Sequence, residues 1–117
     1  MFRITRVYSD SKGESHFAEI EIELKDAGNI GKLSDPLPAT GVVFREVEPT
    51  YDYPFHTAPQ KQFIILLDGE IEIETSLGEK RVFGAGEVLL LEDTTGKGHK
   101  TRNLQPIQRR SIFIILP

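Results

Sequence analysis

A chain of 117 residues with 38% hydrophobic and 27% charged residues has the composition of one ordinary globular domain, and residues 1–117 are read as a single unit. The formal net charge of −4 argues against a nucleic-acid binder, and the absence of cysteine excludes disulfides, thiolate catalysis and cysteine-held metals. No apolar run is long enough to span a bilayer and the first residues alternate instead of forming a signal segment, so the expectation is no membrane partner and a cytoplasmic location.

Residues 1–8 alternate Phe2 and Ile4 with Arg3 and Thr5 and read as a strand, followed by a turn over Ser9 to Gly13. Ala18, Ile20, Ile22 and Leu24 alternate with Glu19, Glu21 and Glu23, which predicts a strand with its apolar row on the core and its glutamates in water. His16, just before this run, reads as a surface or strand-end residue. The stretch from Lys25 to Thr40 carries Gly28, Asn29, Gly31, Pro36 and Pro38 and reads as a loop. At about sixteen residues it is long enough to serve as a lid or a partner contact. Gly41 to Glu48 reads as the next strand, ended by Pro49.

Asp68-Gly69 between two β-type runs predicts a two-residue type I′ hairpin with both central residues at positive φ. That turn pairs Leu66 with Ile71, Ile64 with Ile73 and Gln62 with Thr75, and puts all six on one inward face. Carried back along the chain, the same parity adds His56, Ala58 and Gln60. The opposite face holds Phe63, Ile65 and Leu67, apolar enough to expect another strand or a second subunit over it. Further strands are expected at 79–83, 87–91, from His99 onward, and at 109–116, where Ile112 to Leu116 reads as buried on both faces. At least eight short strands, glycine turns and no capped helix imply an all-β barrel or double-sheet jelly roll.

Two of the three histidines, His56 and His99, bracket the central block and meet inside such a barrel. They are open to three readings: hydrogen-bonded core residues, acid–base groups or donors of a metal-free pocket, or metal ligands. Tyr51 and Tyr53 offer phenolic donors nearby, Tyr53 being a candidate catalytic residue with the two histidines. Ser76 and Ser111 lack the context of a nucleophile, and Lys97 reads as a solvated loop residue. After Asp93 there is no acidic residue, while Lys97, Lys100, Arg102, Arg109 and Arg110 all follow it. These cations either neutralise glutamates on neighbouring strands or make a positive mouth that draws in an anion.

The frame of His56, Ala58, Gln62 and Gly69, with Thr50 at the leading glycine position, resembles the first motif of the cupin superfamily. Gly78, Gly84, Gly86, His99 and Asn103 resemble its second motif, with Gly84 in place of a proline and a longer gap before the histidine. The resemblance implies an RmlC-like jelly-roll (double-stranded β-helix) barrel and, as its usual cofactor, a divalent metal such as Ni, Zn, Mn or Fe. Here the metal set reduces to His56, Gln62 and His99, because Ala58 cannot coordinate and Gln62 offers a neutral amide where a carboxylate would stand, which predicts weak metal binding. The expectation is a small-molecule-binding protein whose anionic or carbonyl-bearing ligand lies inside the barrel against His56, Gln60, Gln62, His99 and Arg102. The alternatives are a metal-dependent oxygenase or isomerase/lyase built on His56, Gln62 and His99, and a structural or regulatory dimer. A homodimer is expected because of the apolar outer face.

Overall fold

The computed structural model describes residues 2–117. Two sheets face each other. The larger has six strands in the order β2 (Ser15–Ile22), β1 (Phe2–Ser9), β10 (Val88–Leu91), β7 (Gln62–Leu66), β12 (Arg109–Ile115) and β5 (Gly41–Val47). The smaller has four, β6 (Asp52–His56), β11 (His99–Asn103), β8 (Glu70–Thr75) and β9 (Lys80–Gly84). All neighbours are antiparallel except β1 and β10, which run parallel with Thr5 opposite Leu89 and Val7 opposite Leu91.

The core lies between the sheets. Val7, Phe17, Ile64, Leu66, Leu89 and Leu91 point inward from the large sheet and meet Ile71, Ile73 and Phe83 from the small one. Leu66 and Ile73 are each 1% exposed, and burial of side chains of this size stabilises a fold by about 2 kcal/mol apiece.

The inward row Gln62, Ile64, Leu66, Ile71, Ile73 and Thr75 is as the alternation predicts, since all six are buried. The hairpin is not. β7 and β8 do not pair: β7 bonds to β10 and β12, and β8 bonds to β11 and β9. Asp68-Gly69 is instead the corner where the chain leaves one sheet for the other. Only Gly69 has positive φ (71°), because a corner needs one left-handed residue and the type I′ turn needs two. A Cβ at Gly69 would also press on the Arg109 stem at 3.2 Å, so the corner doubles as a seat for that side chain.

The orientation of β2 also differs from expectation. Its inward residues are Ser15 and Phe17, and the Ala18, Ile20, Ile22 row lies on the outer side with Ile4 opposite Ile20 and Phe2 opposite Ile22. The strand begins before His16, which sits within it and pairs with Asp10 at 2.7 Å. The expected loop at 25–40 contains a small ladder of β3 (Lys25–Asp26) and β4 (Lys32–Leu33) around one 3₁₀ turn, Gly28–Ile30. Its Leu33 and Leu37 share a surface hollow with Phe63, Ile65 and Ile114, so this segment covers part of the outer apolar face. β12 is flanked by β7 and β5, and its Ile112 to Leu116 run is half-buried. Among the described residues no helix is long and apolar enough to cross a membrane.

Candidate functional site

The barrel holds a cavity of about 260 Å³ lined by His56, Gln62 and His99 on one side and by Arg45, Tyr51 and Tyr53 on another, over a floor that includes Ile64, Leu66, Ile71 and Ile73. The two histidines come together because β6 and β11 pair, with His56 opposite His99. Gly98 makes this approach possible. It stands at φ 72°, and a Cβ there would lie 2.0 Å from the His56 carbonyl oxygen.

His99 is 2% exposed and its Nδ1 lies 2.5 Å from Asp93 Oδ2, a carboxylate with no exposed surface. A carboxylate accepts, so Nδ1–H donates and Nε2 is the nitrogen left for the cavity. Among the described residues Asp93 Oδ1 has no hydrogen-bond partner, and His99 is the side chain that supports this fully buried carboxyl group. His56 is oriented in the same sense. Its Nδ1 donates to the Pro54 carbonyl at 2.8 Å, which again leaves Nε2. The two rings are 4.7 Å apart between centroids, and Tyr53 meets His56 edge-on at 4.2 Å. Desolvation holds the His56 pKa below the ordinary histidine value, against the opposing effect of the Pro54 hydrogen bond.

Gln62 is buried and lines the cavity beside Pro59 and Ala58. Ala58 is 1% exposed, and its backbone N–H donates to the Asp93 carbonyl at 3.0 Å, which ties the segment after His56 to the loop that carries Asp93. The remaining expected ligand residues lie elsewhere. Gln60 is exposed. Arg102 points to the outer side of β11 and pairs with Glu72 at 3.0 Å. Lys97 pairs with Glu14, and Ser76 Oγ donates to the same carboxylate at 2.6 Å.

Three residues at or beside the cavity lay outside the expected set: Asp93, Arg109 and Arg45, the last read only as part of the 41–48 strand. Asp93 closes the acidic part of the sequence but reads there only as the start of a loop. Arg109 reads as one of five C-terminal cations, yet it is 1% exposed and donates through Nε to Asn103 Oδ1 at 2.9 Å. Its alternation with Ser111 and Phe113 was the available signal for an inward side chain.

The donors facing the cavity, two imidazole Nε2 atoms and one amide, do not make a tight divalent site. Among the described residues no three histidine, cysteine, aspartate or glutamate side chains cluster, and Asp93 is already engaged by His99 Nδ1.

No family model and no curated protein sequence matches the chain. Solved structures do. A conserved protein from Klebsiella pneumoniae with a double-stranded β-helix domain aligns at TM-score 0.52 and 22% identity over 65% of this chain, which covers only 65% of that one. A structure from Silicibacter pomeroyi described as a sugar phosphate isomerase from a cupin superfamily aligns at TM-score 0.53 and 18% identity, over 100% of this chain and 71% of that one. An RmlC-like cupin protein from Desulfovibrio desulfuricans aligns at TM-score 0.47 and 14% identity, over 97% of this chain and 81% of that one. The two alignments above 0.5 show that the chain has the double-stranded β-helix fold of the cupin type, as the glycine frame around His56 and His99 implies.

Proposed function

We propose that the protein binds a small carbonyl-bearing molecule in the barrel and that His99, held by Asp93, exchanges a proton with it. The observation that supports this most is the buried Asp93–His99 hydrogen bond, which fixes the ring and leaves Nε2 toward a partly apolar cavity. A structural histidine would have both nitrogens satisfied within the protein, whereas here both His99 and His56 keep one in reserve.

His99 Nε2 takes a proton from carbon or oxygen of the ligand, and the resulting imidazolium lies against the Asp93 carboxylate. His56 Nε2, held neutral by desolvation, accepts a hydrogen bond from a ligand hydroxyl. Gln62 Nε2 donates to a carbonyl oxygen, and the aliphatic floor excludes water. This chemistry suits isomerisation or elimination next to a carbonyl, or binding alone when the ligand has no acidic proton.

The test is solvent-deuterium incorporation into small 2-oxo acids and hydroxyketones, followed by proton NMR. Exchange is expected with the native chain and is lost by a factor of about 10²–10⁴ in His99→Gln, the range of general acid–base catalysis. Exchange indifferent to His99→Gln, or no exchange and no binding with any of these compounds, overturns the reading.

The outer face of the six-stranded sheet is proposed to bind a second copy of the chain. Ile20 pairs with Ile4 at one end of this face, Val88, Ile65, Ile112 and Phe44 follow one another across β10, β7, β12 and β5, and Phe44 at the edge is 78% exposed. Light scattering is expected to give twice the chain mass, and Ile65→Lys to give the chain mass. A native monomer at high micromolar concentration removes the dimer.

A further inference from the structure

Among the described residues, six of the ten ion pairs join an arginine or lysine to a glutamate, and the arginines Arg6, Arg102 and Arg110 each hold a carboxylate within 3.0 Å. Arg45 and Arg109 do not. Among the described residues neither makes an ion pair, although Arg109 is among the most deeply buried side chains of the protein. Asp68, the nearest acid to Arg109 in the corner, is engaged by Arg110 through both its backbone N–H at 2.6 Å and its Nε at 2.9 Å. The Arg109 guanidinium therefore has one neutral acceptor, Asn103 Oδ1, and its Nη1 and Nη2 have none.

A buried cation in this state is costly, because desolvation is uncompensated by an opposite charge. Burial first, and Arg45 second, push the Arg109 pKa down. Arg45 makes one hydrogen bond, from Nε to Ser111 Oγ at 3.3 Å. Both guanidiniums stand over one ring, that of Tyr51, with Arg45 at 5.4 Å and Arg109 at 5.7 Å from its centroid. Arg45 and Tyr51 line the barrel cavity.

We infer that Arg45 and Arg109 form an oxyanion subsite beside Tyr51, which takes the carboxylate or phosphate group of the ligand whose carbonyl meets His99. This rests on the reading of the cavity as a ligand site. The spacing supports it. Asn103, which holds Arg109, is four residues along β11 from His99, on the same inward face as Thr101, which places the two ends about 13 Å apart along the strand. A planar guanidinium fork with two free Nη donors matches an oxyanion in a bidentate pair. Because those Nη atoms have no exposed surface, the Tyr51 ring moves when the anion enters. The ligand class is thus a small organic acid or phosphate ester with a carbonyl near its other end.

The experiment is thermal melting of the purified chain against increasing sodium acetate and, separately, inorganic phosphate, each with sodium chloride at matched ionic strength as reference. A saturable rise in Tm above the chloride reference is expected with at least one of them, and which one acts identifies the head group. The midpoint is expected to shift by about tenfold or more in Arg109→Met and in Arg45→Met, and not in Arg102→Ala, whose cation is on the outer face. Arg109→Lys, which keeps the charge without the fork, serves if the methionine variant fails to fold, and is expected to weaken the response. A native chain that responds to acetate and phosphate no more than to chloride, or a response unchanged in the Arg45 and Arg109 variants, overturns the subsite. His99→Gln separates the two readings. It is expected to keep the anion response while losing proton exchange, so a failure of the subsite and a failure of the dyad are distinct results.

Discussion

The barrel interior contains two buried ionic features, and they are built in opposite ways. At the start of β11, Asp93 and His99 are fully enclosed and complete each other, with one hydrogen bond at 2.5 Å. Beside the far end of that strand, Arg109 of β12 is equally enclosed but, among the described residues, has only the neutral Asn103 oxygen. The first arrangement joins two opposite partners, with Asp93 Oδ1 left over, and leaves a single reactive nitrogen. The second is incomplete without something from outside. Buried pairs tend to be neutral to stability as pairs and destabilising when broken, whereas a lone buried charge is a liability the fold keeps for another reason.

The sharpest way to press this contrast acts on the histidine end alone. Ala58 is buried beside the paired histidines and Gln62 faces the same cavity, so Ala58→His with Gln62→Glu supplies a third imidazole and a carboxylate. Metal affinity is expected to rise by orders of magnitude, while the native chain, purified without a histidine tag, is expected to hold well under one divalent ion. Mass spectrometry of metal content decides it. Stoichiometric metal in the native protein, lost on His56→Ala, would contradict the account of the donor set given above. The apo double variant is expected to melt lower than the native chain and to recover on adding Ni, Zn or Mn.

Next in size is stability. Asp93→Ala breaks a buried pair and is expected to cost about 3–5 kcal/mol in denaturant melts, whereas Arg109→Met removes an uncompensated charge and is expected to be neutral or stabilising by about 1–4 kcal/mol. Equal losses from the two changes would erase the distinction between them.

A smaller effect follows from His56. Its folded pKa lies below the ordinary histidine value of 6.5, so the unfolded chain binds more protons in the interval between the two. The stability associated with neutral His56 is present above pH 6.5 and is lost as pH falls from there through the folded pKa. His56→Gln is expected to flatten the melting temperature over that interval, and a variant with an unchanged pH profile would remove His56 as its source. The smallest change is expected from Arg102→Ala. An exposed pair such as Arg102–Glu72 contributes about 0–1 kcal/mol, so stability should barely move in the same melts.

Much of this arrangement was legible in the residues, and the failures have definite causes. Strand alternation placed Gln62, Ile64 and Ile73 inside, and the glycine frame pointed to the barrel. Asp68-Gly69 misled because turn chemistry is local: one left-handed glycine serves a corner between sheets as well as a hairpin. The Ala18 to Leu24 row misled because the outer face of the large sheet is apolar too, so hydrophobicity alone did not say which side was the core. Asp93 was invisible as a partner of His99, since a loop carries no periodicity to aim a side chain. Arg102 was assigned to the ligand and Arg109 was left undivided among the C-terminal cations, although strand parity with His99 turns Arg102 outward and parity with Ser111 turns Arg109 inward.

The parallel pairing of β1 with β10 also bears on how the molecule comes to be folded. β1 and β2 are neighbours in sequence and can zip together early, but their hairpin joins the large sheet only through β10, near the far end of the chain. Closing so long a loop is entropically slow, and an isolated two-stranded ribbon is marginal in water. The N-terminal hairpin is therefore expected to dock last in refolding, with its amide protons protected later than those of β7 and β12. Pulsed hydrogen exchange in which Val7 gains protection together with Ile64 would show a single concerted closure instead. During synthesis the same geometry leaves Phe2, Ile4, Ile20 and Ile22 without their sheet until β10 has emerged, which makes this first segment the one most dependent on the rest of the chain being made promptly.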